Sequence, residues 1–271
     1  MKRLSELPAP ALAGVVRARS ARGAIAEIKN CVLDGATMID LHLSCLEKTD
    51  TDTLKLIMEA SRLPVLALNY NNDMDWKDAG LTEEERVTSL FRALEAGAAG
   101  IDMQGYTFDP SSRSAFCGED LYSFTKGNPK EVVTDGAVIA KQCDLIARVH
   151  EMGGEVLLSC HPGIPMSAEQ VVELALFLEK RSPDIIKIVT KANDENDLDE
   201  SIRAMLLLKR ELKTPVAYHA NGRAGMASRM INPLLGGKIA FCVDRYDEAS
   251  TMEQIDLRGA AATVDYLRKI L

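Results

Sequence analysis

Short apolar runs recur along the chain, each followed by a longer stretch whose apolar residues fall at helical spacing. The first run spans positions 11–18, and a helical pattern covers 21–34. Positions 38–44 (MIDLHLS) read as a second strand, with a helix over 52–62, and 64–70 (PVLALNY) as a third. Thr82 opens the segment TEEERVTSLFRALEAGA, in which Thr82 and Glu85 make the box that starts a helix and Gly97 marks its end. Gly100–Gln104 is a fourth strand. Positions 155–161 (EVLLSCH) precede a helix over 167–180, where Ser167 and Gln170 form a second capping box. Positions 185–190 (IIKIVT) lead into the acidic-start helix 195–212. Strands at 215–221 and 238–243 complete a set of eight, and a helix over 252–270 closes the chain.

Repeated strand–helix units with strands this apolar predict a parallel sheet covered by helices. The simplest arrangement is one α/β domain over residues 1–271, a (β/α)8 TIM barrel. A doubly wound open sheet is the alternative, but no G-x-G-x-x-G follows the first strand, which weakens a dinucleotide-binding version. The insert at about 106–130 breaks the rhythm: it is rich in Ser, Asp, Gly and aromatic residues and has no period of either kind. Following the fourth strand, it would lie on the C-terminal face of a barrel, as an active-site cover or as a subunit contact.

A chain of 271 residues is near the usual size for such a barrel. Aromatic residues make up only 5%, so the core must rest on Leu, Ile, Val, Ala and Met. A formal charge of −8 argues against nucleic acid as a partner, although one local Arg or Lys can still dominate a pocket for a small anion. Glu6, Pro8, Pro10 and Gly14 interrupt the apolar residues near the N-terminus, which does not read as a signal peptide, and no run is long enough for a membrane span. Cys31, Cys45, Cys117, Cys143, Cys160 and Cys242 are scattered without a C-x-x-C pair. The expectation is reduced thiols in a cytoplasmic protein.

In a barrel, chemistry gathers at the C-terminal strand ends. The polar residues expected there are His42, Ser44, Asn69, Tyr70, Asp102, Gln104, Ser159, His161, Lys187, His219 and Asn221, and they include three of the chain's four histidines. Lys187 is the only charged residue in the apolar run 185–189. Burial disfavours an ammonium, so such a lysine can supply the free amine that attacks a carbonyl to form an imine. The same residue at a strand end could instead snorkel to solvent. His161 ends the preceding strand ahead of Pro162 and Gly163, where a histidine can move protons at a substrate carbon or simply cap the strand. His42, His161 and His219 could also be metal ligands, but no H-x-H or H-E-x-x-H spacing supports a metal site.

These residues and their surroundings resemble the type I 3-dehydroquinate dehydratases. The resemblance runs from Ala11 to Leu271 outside the insert and is carried by LLSCH with His161, DIIKIV with Lys187, GMASR with Arg229, and ASTMEQI with Ser250 and Gln254. It implies a cofactor-free lyase of the shikimate pathway, in aromatic amino acid biosynthesis, that converts 3-dehydroquinate to 3-dehydroshikimate and water. By resemblance, Lys187 forms the imine with the substrate ketone. His161 removes the α-proton and later protonates the leaving hydroxyl. Arg229 and Gln254 hold the carboxylate with help from Ser250. A cytoplasmic homodimer taking a small carboxylate substrate, with no nucleic acid or membrane partner, is the expected setting.

The chain departs from the family at the end that reads ring hydroxyls. His42 and Ser44 stand where the family carries Glu-x-Arg, and Tyr70 where it carries an arginine. Met74, between Asp73 and Asp75, stands near the glutamate that orients the catalytic histidine. His219 and Asn221 stand where methionines are common. All five replacements at strand ends are candidate substrate-binding residues, and a related cyclic hydroxy-keto acid becomes a candidate substrate. A class I aldolase acting on another keto acid is a rival reading. So is a catalytically weak homologue that only binds a carboxylate, although that would have no need of a buried amine.

Overall fold

The computed structural model describes residues 3–70, 81–109, 133–246 and 253–270. In chain order the elements begin with β1 (Ala11–Val16), α1 (Ala21–Leu33), β2 (Met38–His42), α2 (Thr51–Met58), β3 (Val65–Leu68) and α3 (Glu83–Glu95). Next come β4 (Gly100–Gln104), α4 (Gly136–Glu151), β5 (Glu155–Cys160), α5 (Ala168–Glu179), β6 (Ile185–Lys191), α6 (Glu195–Glu211) and β7 (Val216–Asn221). The chain finishes with α7 (Ser228–Leu234), β8 (Ile239–Val243), β9 (Ile255–Asp256) and α8 (Leu257–Ile270). By internal contacts it divides into two compact units, Met1–Asp102 with Ile239–Leu271, and Met103–Lys238, the boundary falling inside β4.

In the first unit the strand order is β4-β3-β2-β1-β8-β9, and the recorded pairings are all parallel. Strands β1 to β4 and β8 are buried on both faces, which is why they read as continuous apolar runs rather than alternating ones. The register pairs His42 with Leu68 and Leu68 with Asp102, so these three residues form one row across the sheet. Helix α3 starts with the expected reciprocal cap: Thr82 Oγ1 accepts from the Glu85 amide at 3.1 Å, and Glu85 accepts from the Thr82 amide at 2.7 Å.

The second unit has the order β7-β6-β5-β4, with β6 paired in parallel to both β5 and β7. One row reads Ser159, Lys187, Ala217, and the row two residues further on contains Val189 and His219. Ser167 and Gln170 make the second capping box at the start of α5, as expected. No helix among the described residues is long and apolar enough to cross a membrane.

The strand and helix limits differ from the sequence expectation in physically simple ways. The first strand stops at Val16 rather than 18, and the third at Leu68 rather than 70. The second stops at His42, because Leu43–Cys45 turn into a 3₁₀ helix. The second helix stops at Met58 rather than 62, while β6 runs on to Lys191. The last helix begins at Leu257 rather than 252, after the two-residue strand β9. Helices α4 and α7 are additions to the expectation. Within the expected insert, Tyr106 to Asp109 form a turn in which the Asp109 amide donates to the Tyr106 carbonyl at 2.8 Å; positions 110–132 lie outside the described residues.

Candidate active site

Strand β6 carries Lys187 between Ile186 and Ile188, with Ser159 on one side and Ala217 on the other. Only 7% of its surface is exposed, so the side chain as a whole is buried. Successive strand residues face opposite ways, so Val189 shares the face of Lys187, and the register pairs Val189 with His219 on β7. His161 directly follows Cys160, the last residue of β5, and is half-buried. Lys187 therefore has a histidine two residues further along on each side, His219 on β7 and His161 just past the end of β5.

Arg229 reaches this group through the turn GMASR. The Ser228 hydroxyl accepts from the Ala220 amide at 2.8 Å and donates to the Gly225 carbonyl at 2.6 Å, tying the start of α7 to the end of β7. Gly225 permits that closeness: a Cβ there would lie 2.6 Å from the Ala220 carbonyl oxygen. Gly222 makes the preceding bend with φ +87°, where a side chain would be strained. With the turn fixed, Arg229 donates from Nη2 to Asn221 Oδ1 in a short hydrogen bond. The guanidinium is thus held by a side chain from the adjacent strand end.

The electrostatics follow from burial beside two cations. Desolvation, then Lys187 and Arg229, hold His161 well below the ordinary histidine value. Desolvation, then Arg229, Lys187 and His161, do the same to His219. Both imidazoles are therefore neutral at neutral pH and available as bases. An enclosed amine, two neutral imidazoles and a positioned guanidinium suit an anionic carbonyl compound.

The remaining candidates lie in the first unit. His42 Nε2 is 3.5 Å from an Asp40 carboxylate oxygen, and both side chains are buried. The His42 and Tyr70 rings meet edge to face with centroids 6.2 Å apart, and the Tyr70 hydroxyl donates to Asp102 at 3.3 Å. Asn69 donates to Ser89 at 2.8 Å and Arg86 donates to the Asn69 carbonyl at 2.8 Å, which pins the end of β3. Ser44 sits in the 3₁₀ turn after β2. Gln254 is buried just before β9, where it lines a small cavity with Arg17, Glu27, Asp244 and Arg245, and its carbonyl accepts from the Tyr246 hydroxyl at 2.6 Å. Ser250, Met74, Asp73 and Asp75 lie outside the described residues.

The structure thus gathers Lys187, His161, His219, Asn221 and Arg229 in one unit, and His42 with Tyr70 in the other. The sequence reading missed Asp40, whose spacing of two from His42 on a strand was the available signal, and the bracing role of Ser228. His150, the fourth histidine, lies in α4 and bonds to Asp184 at 2.8 Å. Among the described residues, no group of three or more His, Cys, Asp or Glu side chains is placed to hold a metal ion.

Residues 137–269 match the family model described as type I 3-dehydroquinase. A 3-dehydroquinate dehydratase of Alkaliphilus oremlandii is 27% identical over 127 residues, 46% of this chain and 49% of that protein. The chain therefore spans about half the length of that relative. A 3-dehydroquinate dehydratase of Aromatoleum aromaticum is 20% identical over 246 residues, covering 84% of this chain and 91% of that one. The solved 3-dehydroquinate dehydratase of Geobacillus kaustophilus superposes with a TM-score of 0.77 at 14% identity, covering 99% of this chain and 96% of that chain. The type I enzyme of Clostridium difficile gives 0.73 at 13% identity, covering 97% and 94%. At such identities the structural likeness speaks for the fold, which is the (β/α)8 TIM barrel expected from the strand–helix repeat.

Proposed function

Because this chain is a divergent member of the type I 3-dehydroquinase family, we propose that it is a Schiff-base dehydratase acting on 3-dehydroquinate or a closely related cyclic hydroxy-keto acid. The observation that carries the reading is the placement of Lys187, enclosed on β6 and flanked by neutral imidazoles with Arg229 nearby. The Lys187 amine adds to the substrate ketone and water leaves, giving a protonated imine. That imine is an electron sink, so His161 can take the α-proton and leave an enamine rather than a bare carbanion. The enamine expels the β-hydroxyl, which takes the proton back from His161 and departs as a second water. Hydrolysis of the product imine returns the first water's equivalent and frees Lys187, so the net change is loss of one water.

Arg229, oriented by Asn221, would take the substrate carboxylate with its two-pronged guanidinium. Gln254 and Ser250 join that role, and His42, Ser44 and Tyr70 the recognition of hydroxyls, on the strength of the resemblance. The acidic overall charge supports a small-molecule partner rather than nucleic acid. A cytoplasmic homodimer in the shikimate pathway is the setting that fits a family member.

The test is the intact mass of the protein after borohydride treatment with 3-dehydroquinate, beside a substrate-free control. A reduced adduct on the peptide carrying Lys187, absent from Lys187→Ala, is expected. An adduct on another lysine, or full activity in Lys187→Ala, would overturn the assignment. Product analysis separates dehydration from carbon–carbon cleavage, which the adduct alone does not.

A further inference from the structure

Two histidines bracket Lys187, yet the reaction above uses one. His219 stands on β7, paired with Val189, and so lies one pleat beyond Lys187 along the strand direction, a rise of about 6–7 Å. His161 follows the end of β5, on the other flank of β6, two residues beyond Ser159, which pairs with Lys187. Lys187 acts electrostatically on both rings, so its amine lies within reach of each. His219 is nearly enclosed, with 6% of its surface exposed. Among the described residues its ring makes no hydrogen bond, and the groups acting on it are Arg229, Lys187 and His161, none of them an anion. A histidine kept for packing would be expected to pair its polar atoms, and a methionine would fill the same volume without that cost. A neutral imidazole beside an amine is instead suited to moving protons on and off nitrogen and oxygen.

We propose that His219 is a second catalytic histidine, which carries the proton transfers of imine formation and imine hydrolysis at Lys187, while His161 carries those at the substrate carbon. This rests on the Schiff-base reading above and divides its labour. His219 accepts a proton from the Lys187 ammonium, and the freed amine adds to the carbonyl carbon as the carbonyl electron pair moves onto oxygen. His219 returns that proton to the new oxygen, takes a second proton from the nitrogen, and gives it to the departing hydroxyl as the C–O bond breaks. One water leaves, a protonated imine remains, and His219 ends neutral. Product hydrolysis runs the same steps backwards. His161 is thereby left free to act on carbon alone.

The experiment times adduct formation in single turnover, quenching wild type, His219→Met, His219→Gln and His161→Gln with borohydride and reading intact mass. Solvent deuterium entering the α-position of the substrate is read in parallel. Pyruvate serves as a second carbonyl probe that needs no dehydration. Loss of His219 should slow adduct formation by roughly 10²-fold, while the adduct, once formed, still exchanges its α-proton at the wild-type rate. His161→Gln should form adduct at the wild-type rate and lose exchange. In a further variant, His219→Ala, added imidazole should restore part of the rate, which a merely structural defect would not allow. Adduct formation at the wild-type rate in both His219→Met and His219→Gln would overturn the proposal, as would a change confined to KM. Wild-type adduct with pyruvate but none with 3-dehydroquinate would overturn the substrate reading while the pyruvate rates still decide the role of His219. No adduct with either compound would overturn both.

Discussion

Lys187 and His161 stood out in the sequence because each breaks a simple rule: a cation inside an apolar strand, and a histidine at the strand end beside it. What could not be read there is the company they keep. Strand pairing sets Val189 against His219 and Ser159 against Lys187, and that register is a property of the sheet rather than of any one segment. The same holds for Asn221, whose contact with Arg229 depends on a turn between them. Replacing Asn221 by Ala should leave the guanidinium in place but unaimed. KM for a carboxylate substrate is expected to rise about tenfold, the worth of one charged hydrogen bond, with kcat little changed. An unchanged KM in steady-state kinetics would remove Asn221 from the clamp. The two depressed histidines also give a pH dependence of fixed sign. Below the ordinary value of 6.5 the unfolded chain takes up protons that native His161 and His219 refuse. Stability is therefore fully present above that value and is lost as pH falls through it toward the lowered native values. The urea midpoint of wild type should fall between about pH 7 and pH 5 by more than that of His219→Met. Parallel midpoints for the two proteins would show that His219 titrates normally.

Strands and helices were largely legible because parallel strands buried on both faces leave unbroken apolar runs, and because Thr82 with Glu85 and Ser167 with Gln170 are strong start signals. Their ends were less so. Apolar Leu43 continues the pattern of β2 although the backbone has already turned into a 3₁₀ helix, and periodicity alone cannot register that change. Helix α4 escaped notice although its signals exist: Asp135 accepts from the amides of Ala137 and Val138, and Leu145, Ile146 and Val149 are buried at helical spacing. Its middle is broken up by Lys141, Gln142 and Asp144. There Gln142 is buried for a polar reason, donating to the Gly105 and Thr107 carbonyls at 3.0 and 2.8 Å. Short α7 was hidden by Pro233 inside it. That helix matters for the proposed chemistry because its first turn carries Arg229. Gly225→Ala should force the GMASR turn away from Ala220, lowering the thermal midpoint and raising KM for the carboxylate substrate. Ser228→Ala, which keeps the backbone but loses two hydrogen bonds, should act in the same direction by about 1–3 kcal/mol in stability. Normal melting and normal KM in Gly225→Ala would show that the close approach is not needed.

Divergence is unevenly spread along the chain. The family model covers residues 137–269, a span that holds His161, Lys187, Arg229, Ser250 and Gln254. His42, Ser44 and Tyr70 fall before it, at the positions where the resemblance sets them against an acid and two arginines. In the structure those replacements are not idle: His42 lies beside Asp40, and Tyr70 bonds to Asp102. A buried histidine–carboxylate pair and a tyrosine–carboxylate pair offer weakly basic and neutral donors instead of fixed guanidinium forks. Such groups are a poor match for vicinal hydroxyls that the family reads with charged hydrogen bonds, and the loss of one such partner is worth kilocalories. The expected outcome is therefore weak turnover of 3-dehydroquinate by the wild type and better turnover of a related hydroxy-keto acid with fewer or differently placed hydroxyls. The comparison that decides it is steady-state kinetics on 3-dehydroquinate for the wild type and for His42→Glu, Ser44→Arg, Tyr70→Arg combined. A rise in kcat/KM in the triple variant is expected if recognition, not chemistry, limits the wild type. Should the variant fold poorly, which its melting curve would reveal, His42→Glu alone keeps the comparison with one buried site changed. Efficient wild-type turnover, with no gain in either variant, would mean that these residues recognise the ordinary substrate in a new way.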